Sequence, residues 1–282
     1  MQTNTPKYIN FHLSSECDLD DMWQQLDDVG CQILFSSDDA NGILSLTGSL
    51  PPSYSMTDMI ALFPQIIEIT DSSLDIDWES QWRLHGVGYR DGYLHVEVQD
   101  NKNGGVNRTL RLQPGPGFGD LSHPTTRIVL QLMAKYIPNK HVLDIGCGSG
   151  ILSLVAEAMG ATSVSGIDID EEALNHARLN SALNKMEKSI VFQQPDLYCR
   201  KIRNEPEIIL MNMIHIEQCQ AWEAMKNFEL SVFPNTISKL IITSGVLVEG
   251  REDYLHQCHL WNWVLEEEYE EEGWLGFVFR LK

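Results

Sequence analysis

A glycine-rich turn directly after an apolar run is the part of this sequence best suited to chemistry. Residues 142–150 read Val-Leu-Asp-Ile-Gly-Cys-Gly-Ser-Gly, with Asp144 two residues before the first of the three glycines, Gly146, Gly148 and Gly150. Glycine lets the backbone approach a ligand closely, and a helix that starts after the turn exposes its first N–H groups. The pattern therefore predicts a nucleotide-type cofactor site between a strand and a helix.

The acid in this turn distinguishes between two kinds of cofactor. Dinucleotide sites place a pyrophosphate at a G-x-G-x-x-G turn, and a carboxylate would repel that group. Asp144 instead suits the positively charged amino group of a methionine moiety. The spacing D-x-G-x-G-x-G therefore favours S-adenosylmethionine over NAD, bound by the glycine turn and by Asp144.

Polar residues after three further strand-like runs point to the same pocket. Asp168 follows the second run, and we expect it to bind both ribose hydroxyls. Asp196 follows the third run, as an acid that contacts adenine or, equally well, as an ordinary loop acid. Asn212 follows the fourth, and ligands of open α/β sheets lie beyond the carboxyl ends of the strands. We expect the amide oxygen of Asn212 to accept a hydrogen bond from an incoming amine.

Alternating strands and helices must position these residues, which indicates a Rossmann-like α/β domain with a parallel sheet covered on both faces. Its predicted helices span residues 125–136, 149–159, 171–183 and 222–233. Its predicted strands span residues 141–145, 163–167, 189–193, 207–211 and 239–244, with a closing hairpin at 264–269 and 276–281. This larger domain is predicted to cover residues 113–282.

The first 75 residues predict a small separate domain. Its predicted strands are 8–13, 32–36, 42–47 and 66–70, and its predicted helices are 19–29 and 56–63. The order β-α-β-β-α-β is that of a ferredoxin-like α+β unit, and the order alone names no ligand. Residues 76–112 are expected to be a linker, with a short helix at 77–83 and strands at 93–98 and 108–112.

Composition limits the partners and the location. The chain of 282 residues has 40 acidic and 20 lysine or arginine residues, a formal charge of −20, so bare nucleic acid is not expected as a substrate. An acidic surface kept for solubility is the alternative. The six cysteines have neither CxxC nor metal-like spacing, which favours reduced thiols and no metal site. Without a secretion signal or a long apolar run, a cytoplasmic protein that does not enter membranes is expected.

Residues 114–126, Pro-Gly-Pro-Gly-Phe-Gly-Asp-Leu-Ser-His-Pro-Thr-Thr, resemble the loop that covers the cofactor in the PrmA family of bacterial ribosomal protein (L-eleven) methyltransferases. We call them the covering loop. The glycine turn, the Ile-Asp-Ile-Asp at 167–170, Asn212 and the Thr-Ser-Gly-Val-Leu at 243–247 follow in the family's order. The N-terminal domain and the bridge at 77–82 match its layout, so the resemblance covers nearly the whole chain.

The resemblance implies a class I S-adenosylmethionine-dependent methyltransferase with a seven-stranded, mostly parallel sheet and a small domain that grips a protein substrate. It implies a monomeric enzyme that methylates lysine or other amino groups of a basic ribosomal protein, with Asn212 as the catalytic residue that orients the amine. The residues assigned to the cofactor by this resemblance and by the strand-end reasoning are Phe118, His123, Thr126, Asp144, Gly146, Gly148, Asp168, Asp196 and Asn212.

The covering loop departs from the family pattern in one place. Where the family has Gly-Thr-Gly-Thr-His, residues 119–123 read Gly-Asp-Leu-Ser-His, which removes a glycine and two threonines next to the reacting sulfonium. Asp120 either complements the sulfonium charge or weakens cofactor binding. The alternatives are therefore a methyltransferase of another protein or of a small molecule, and a cofactor-binding homologue without turnover. A dehydrogenase is disfavoured by the glycine spacing.

Overall fold

The computed structural model describes residues 8–15, 17–38, 44–50, 54–71, 83, 86–100, 105–195, 205–227 and 239–282. Four predictions fall wholly or partly outside the described residues. They are Asp196, the first two residues of the strand at 42–47, the helix at 77–83 except its last residue, and the end of the helix at 222–233. The chain divides into two units, Met1–Ile76 and Asp77–Lys282.

The first unit is a four-stranded antiparallel sheet with two helices. Its elements are β1 (Tyr8–Leu13), α1 (Leu19–Asp28), β2 (Gln32–Asp38), β3 (Leu44–Ser49), α2 (Met56–Leu62) and β4 (Ile66–Asp71). The sheet order is β2-β3-β1-β4, and every neighbouring pair is antiparallel. The predicted β-α-β-β-α-β order is thus present.

Side chains fix the helix starts of this unit. Asp18 accepts a hydrogen bond from the backbone N–H of Asp21 at the start of α1. Ser55 and Asp58 form a reciprocal capping box at the start of α2. Phe11, Met22 and Leu26 belong to the buried apolar cluster between the helices and the sheet.

The second unit begins with a three-stranded antiparallel sheet of β5 (Tyr89–Arg90), β6 (Tyr93–Asp100) and β7 (Val106–Leu112). The two predicted strands of this segment are present, and β5 is an addition. Leu94 and Leu110 are fully buried in the same cluster as Leu210 of the large sheet. Much of the segment expected to be a linker therefore contributes to the core of the larger unit.

The large sheet has seven strands in the order β10-β9-β8-β11-β12-β14-β13, all parallel except β14, which confirms the predicted seven-stranded, mostly parallel sheet. Its strands are β8 (His141–Ile145), β9 (Ser163–Ile167), β10 (Ile190–Gln193), β11 (Ile208–Asn212), β12 (Lys239–Leu247), β13 (Trp263–Glu271) and β14 (Trp274–Leu281). Its helices are α3 (Pro124–Met133), α4 (Ile151–Ala158), α5 (Glu171–Leu183), α6 (His215–Asn227) and α7 (Arg251–Leu260).

Alternate residues of the central strands belong to two different apolar clusters. Val142 and Leu210 lie in one cluster, and Leu143, Ile209 and Met211 lie in the other. Because successive strand side chains point to opposite faces, both faces of the sheet are covered, as the alternation of strands and helices predicted. Within the described part of the chain, no helix is long and apolar enough to cross a membrane.

Three elements differ from the prediction. The helix expected to start at Trp222 begins at His215. Its first turns were not predicted because they bury a polar side chain, that of Gln218, and therefore lack an apolar stripe. Helix α7 was not predicted, since it buries only Tyr254 and Cys258. Strand β12 runs past the predicted end at 244 through a bulge, where the pairing register with β14 shifts.

Candidate active site

The glycine turn lies between β8 and α4 and is attached to the end of β9. Gly146, Gly148 and Gly150 have φ angles of 70°, 51° and 82°, the left-handed region that favours glycine. The N–H of Gly146 donates to the carbonyl oxygen of Ile167 over 2.8 Å, and the N–H of Gly148 donates to Oδ2 of Asp168 over 3.0 Å. The turn and the acid predicted to share a ligand are therefore in direct contact.

Asp168 is a half-buried carboxylate that directly follows β9. Its Oδ1 accepts a second backbone hydrogen bond, from the N–H of Asp170, over 3.0 Å. Burial raises the pKa of Asp168, and the hydrogen bonds from Asp170 and Gly148 oppose that rise. Next to it, the side chain of Ile169 is 86% exposed. The strand end thus presents a carboxylate with spare acceptor positions beside an open apolar surface.

Asp144 is fully buried at the foot of the glycine turn. Its Oδ2 accepts a hydrogen bond from Oγ of Ser153 on α4 over 2.7 Å, whereas its Oδ1 is buried and has no hydrogen-bond partner among the described residues. Burial raises the pKa of Asp144 to about 7, and the nearby charge of Asp168 adds to the rise. A cationic group brought to the unpartnered oxygen would therefore stabilise the ionised carboxylate.

Asn212 ends β11 and is joined to α3 across the site. Its Nδ2 lies 3.4 Å from Oγ1 of Thr126, a pair separated by 86 residues in sequence. Its Oδ1 is buried, and no residue in the part of the chain that the structure describes donates a hydrogen bond to it. The next residue, Met213, covers the glycine turn, since a Cβ on Gly146 would lie 2.5 Å from its Sδ. The predicted residues Thr126, Gly146 and Asn212 are thus brought together.

The covering loop rests directly on the glycine turn. The carbonyl oxygen of Phe118 accepts a hydrogen bond from the N–H of Ser149 over 2.8 Å, and that of Gly119 accepts one from the Ser149 hydroxyl over 2.7 Å. A Cβ on Gly148 would lie 2.3 Å from the carbonyl oxygen of Phe118. The side chain of Phe118 remains 57% exposed, so its ring is available to a ligand.

His123 is the covering-loop residue that caps the N-terminus of α3. Its Nδ1 accepts a hydrogen bond from the N–H of Thr125 over 3.3 Å, and its ring packs edge-on against Phe118 and Trp274. Burial lowers the pKa of His123, and the charge of Asp120 opposes that change. The contacts make His123 a residue that shapes the loop around Phe118.

Arg127 fastens the covering loop to the hairpin of β13 and β14, which the sequence did not indicate. Its guanidinium group donates to the carbonyl oxygens of Leu121 over 2.9 Å and Ser122 over 2.7 Å. It also pairs with Glu271 at 2.5 Å and Glu272 at 2.9 Å. A cation in the first turn of a helix is electrostatically unfavourable without anionic or carbonyl partners. The position of Arg127 near the start of α3 was therefore the sequence signal that could have indicated these contacts.

Three further polar side chains position the site and were also missed. His176 and Asn180 on α5 bind the backbone before and within the covering loop, and their four-residue spacing, which places them on one helical face, was the available signal. Fully buried Gln218 donates to the carbonyl oxygens of Met213 over 2.7 Å and Ser244 over 3.0 Å. It thereby fixes the backbone that follows Asn212.

The arrangement has three chemical features at the carboxyl ends of neighbouring parallel strands. It presents a buried carboxylate with a free oxygen, a half-buried carboxylate on a neighbouring strand, and a buried amide oxygen without a partner. Such an edge is where open α/β sheets bind ligands.

Comparison with known proteins agrees with this description. Residues 53–282 match the family model "Ribosomal protein L11 methyltransferase (PrmA)". The ribosomal protein L11 methyltransferase of Geobacillus kaustophilus is 41% identical over 213 residues, which cover 72% of this chain and 64% of the relative. That of Geobacillus thermodenitrificans is 30% identical over 213 residues, with the same two coverages. This chain thus spans just under two thirds of the length of these relatives.

A solved structure shares the fold of the larger part of the chain. The ribosomal protein L11 methylase of Lactobacillus delbrueckii subsp. bulgaricus superposes with a TM-score of 0.51 at 24% identity, covering 61% of this chain and 85% of that one. The sheet order and this superposition define a Rossmann-like α/β fold. More specifically, the chain belongs to the PrmA family.

Proposed function

We propose that this protein transfers a methyl group from S-adenosylmethionine to an amino group of a basic ribosomal protein in the cytoplasm. The observation that carries the proposal is Oδ1 of Asn212, an acceptor buried without a partner beside the glycine turn. A buried acceptor of this kind is costly unless a ligand supplies a donor. An attacking amine is such a donor.

The residues present fit S-adenosylmethionine. Asp144 offers an unpartnered buried oxygen to the ammonium group of the methionine moiety. Asp168 accepts two backbone hydrogen bonds and has acceptor capacity left for two ribose hydroxyls. Gly146 and Gly148 leave room at the turn for close approach. When bound, S-adenosylmethionine supplies a methyl group made electrophilic by its sulfonium.

The amine must reach this site without its proton. A lysine amine with a pKa of about 10.4 costs about 4.6 kcal/mol to deprotonate at pH 7. A desolvated position near positive charge lowers that cost. Asn212 then accepts a hydrogen bond from the remaining N–H and orients the nitrogen lone pair, so that alignment supplies the catalysis and a dedicated base is not required.

The charge of the chain supports the substrate class. A formal charge of −20 attracts a basic protein at long range and disfavours phosphate-rich nucleic acid. The relatives are named for ribosomal protein L11, which makes that protein the first substrate to test.

The test is transfer of radiolabel from S-adenosylmethionine to ribosomal proteins of cells that lack this protein, with the label located by mass spectrometry. We expect label on protein L11. Asn212→Ala should still bind the cofactor by calorimetry and lose methyl transfer about a hundredfold, within the range of a lost positioning contact. Asn175→Ala, at an exposed asparagine on α5, is the matched control and should retain activity.

Each other outcome rejects part of the proposal. Label on another protein would reject L11 as the substrate and support the proposed methyl-transfer reaction. Cofactor binding without label in any protein would favour a small-molecule substrate or a homologue without turnover. Full activity of Asn212→Ala would remove the role given to that residue.

A further inference from the structure

Helix α5 holds the backbone that leads into the covering loop. Nδ1 of His176 accepts a hydrogen bond from the N–H of Gly117 over 3.1 Å, and its Nε2 donates to the carbonyl oxygen of Gln113 over 2.7 Å. Asn180 accepts from the N–H of Gln113 over 2.9 Å and donates to the carbonyl oxygen of Ser149 over 2.9 Å. One helical face thus binds both the start of the loop and the glycine turn.

The packing leaves little freedom at these contacts. A Cβ on Gly115 would lie 2.6 Å from the His176 ring, so the loop backbone runs directly against the imidazole. A Cβ on Gly117 would lie 2.6 Å from the backbone nitrogen of Ser149. Any shift of Gly117 therefore moves the loop relative to the glycine turn.

The hydrogen bonds specify the form of the imidazole. With Nδ1 accepting and Nε2 donating, His176 is neutral and its tautomer carries the proton on Nε2. Burial lowers the pKa of His176, which is consistent with that neutral form.

We propose that His176 is a positioning residue for cofactor binding, which acts by holding Gly117 so that Phe118 lies correctly over the glycine turn. The inference rests on the proposed function, because the turn and the covering loop are there assigned to S-adenosylmethionine. The essential interaction is the acceptor at Nδ1: without it the buried N–H of Gly117 loses its partner and the loop detaches from α5.

The C-cap residue of the same helix provides a control. Asn184, one turn beyond Asn180, accepts from the N–H of Arg111 over 2.9 Å and donates to its carbonyl oxygen over 2.6 Å. It is buried to a similar degree and fixes β7 rather than the covering loop. Asn184→Ala therefore removes buried hydrogen bonds from the same face with the loop contacts intact.

The experiment compares two conservative variants. His176→Gln places its amide near Nε2 and leaves Gly117 without an acceptor, whereas His176→Asn places an oxygen near Nδ1 and keeps it. Hydrogen exchange of peptide 113–119 is measured without ligand, and calorimetry measures the Kd of S-adenosylmethionine. We expect faster exchange and roughly tenfold weaker binding for His176→Gln, with rescue to within about threefold by His176→Asn.

Asn184→Ala should lower the melting temperature and change the Kd less than about twofold. The inference is overturned if His176→Gln has wild-type exchange and affinity, if His176→Asn does not rescue them, or if Asn184→Ala weakens binding as much. Failure of the wild-type protein to bind S-adenosylmethionine would instead reject the proposed function, and with it this role, whatever the exchange rates.

Discussion

Ser153 donates a hydrogen bond to Oδ2 of Asp144 over 2.7 Å, and the other oxygen of that carboxyl group is buried with no partner in the described ranges of the chain. Only one of the two carboxyl oxygens therefore has a hydrogen bond, although the whole group is buried from water. Burial raises the pKa of Asp144 to about 7. A group in this state titrates near neutral pH, which makes both folding and ligand binding depend on pH.

Stability should fall as the pH rises toward neutrality. The folded-state pKa of Asp144, about 7, is above its ordinary value of 3.8, so its protonated form is favoured by folding. Its contribution is fully present below pH 3.8 and is lost as the pH rises through about 7. Asp144→Asn removes this dependence, and we expect it to gain roughly 2–3 kcal/mol on the wild type between pH 5 and pH 8.

The measurement is denaturant unfolding of both proteins at several pH values without ligand. Parallel stability curves for the wild type and Asp144→Asn would contradict the raised pKa.

Cofactor binding should release a proton from the same group. An ammonium group placed beside Asp144 lowers the pKa of its carboxyl group, so that at pH 7 about half a proton leaves that group per binding event. Calorimetric titrations in two buffers of different ionisation enthalpy measure the protons released. Asp144→Asn is the control, and its proton balance should lack this release. An identical balance in both proteins would remove Asp144 from the ammonium site.

Arg127→Ala should free the covering loop. The substitution leaves the carbonyl oxygens of Leu121 and Ser122 without their donor and breaks the pairs with Glu271 and Glu272. We expect a loss of about 2 kcal/mol in the free energy of unfolding, the magnitude of one or two charge-assisted hydrogen bonds, together with weaker cofactor binding.

Arg251→Ala is the matched control for Arg127→Ala. Arg251 pairs with Glu268 at 2.7 Å and with Glu252 at 2.6 Å, and neither partner belongs to the covering loop. It should cost less stability and leave cofactor affinity unchanged, because exposed pairs contribute little. Equal effects of both variants on affinity would show that cofactor binding does not depend specifically on the contacts of Arg127 with the covering loop.

The local parts of the site were predictable from the sequence, and one distant pairing was too. The turn around Gly146 and Gly148 carries its chemistry in contiguous residues. Asn212 could be placed because residues that end neighbouring parallel strands meet at one edge of the sheet. The contact of Asn212 with Thr126 then agrees with the resemblance of the covering loop, although the roles given to both residues remain to be tested.

Contacts that depend on side-chain register across long separations were not predictable. Arg127 and Glu271 are 144 residues apart. Their pairing depends on where the turn between β13 and β14 lies relative to the start of α3. Helix α7 was missed because Tyr254 and Cys258 alone form too narrow an apolar stripe for a periodic signal. Gln218 was missed because a buried amide resembles a surface residue in sequence.

Gly245→Ala should damage the site from the neighbouring strand. Gly245 lies at the bulge of β12 with φ of 101°, and a Cβ there would lie 2.1 Å from the carbonyl oxygen of Met213. That oxygen also accepts the hydrogen bond from Gln218 that fixes the backbone after Asn212. We expect a loss on the order of 3 kcal/mol, from overpacking added to left-handed strain, and reduced methyl transfer.

Gly273→Ala distinguishes the backbone strain of a left-handed alanine from the steric overlap that an added Cβ causes at Gly245. Gly273 has φ of 79°, and a Cβ there would meet nothing within 4 Å. This variant should therefore cost only about 1 kcal/mol, the conformational strain of alanine in the left-handed region, and retain activity. Denaturant unfolding and methyl-transfer rates of the two variants provide the comparison. Equal losses of stability would mean that backbone strain alone explains both, and that Gly245 is not required by the approach of Met213.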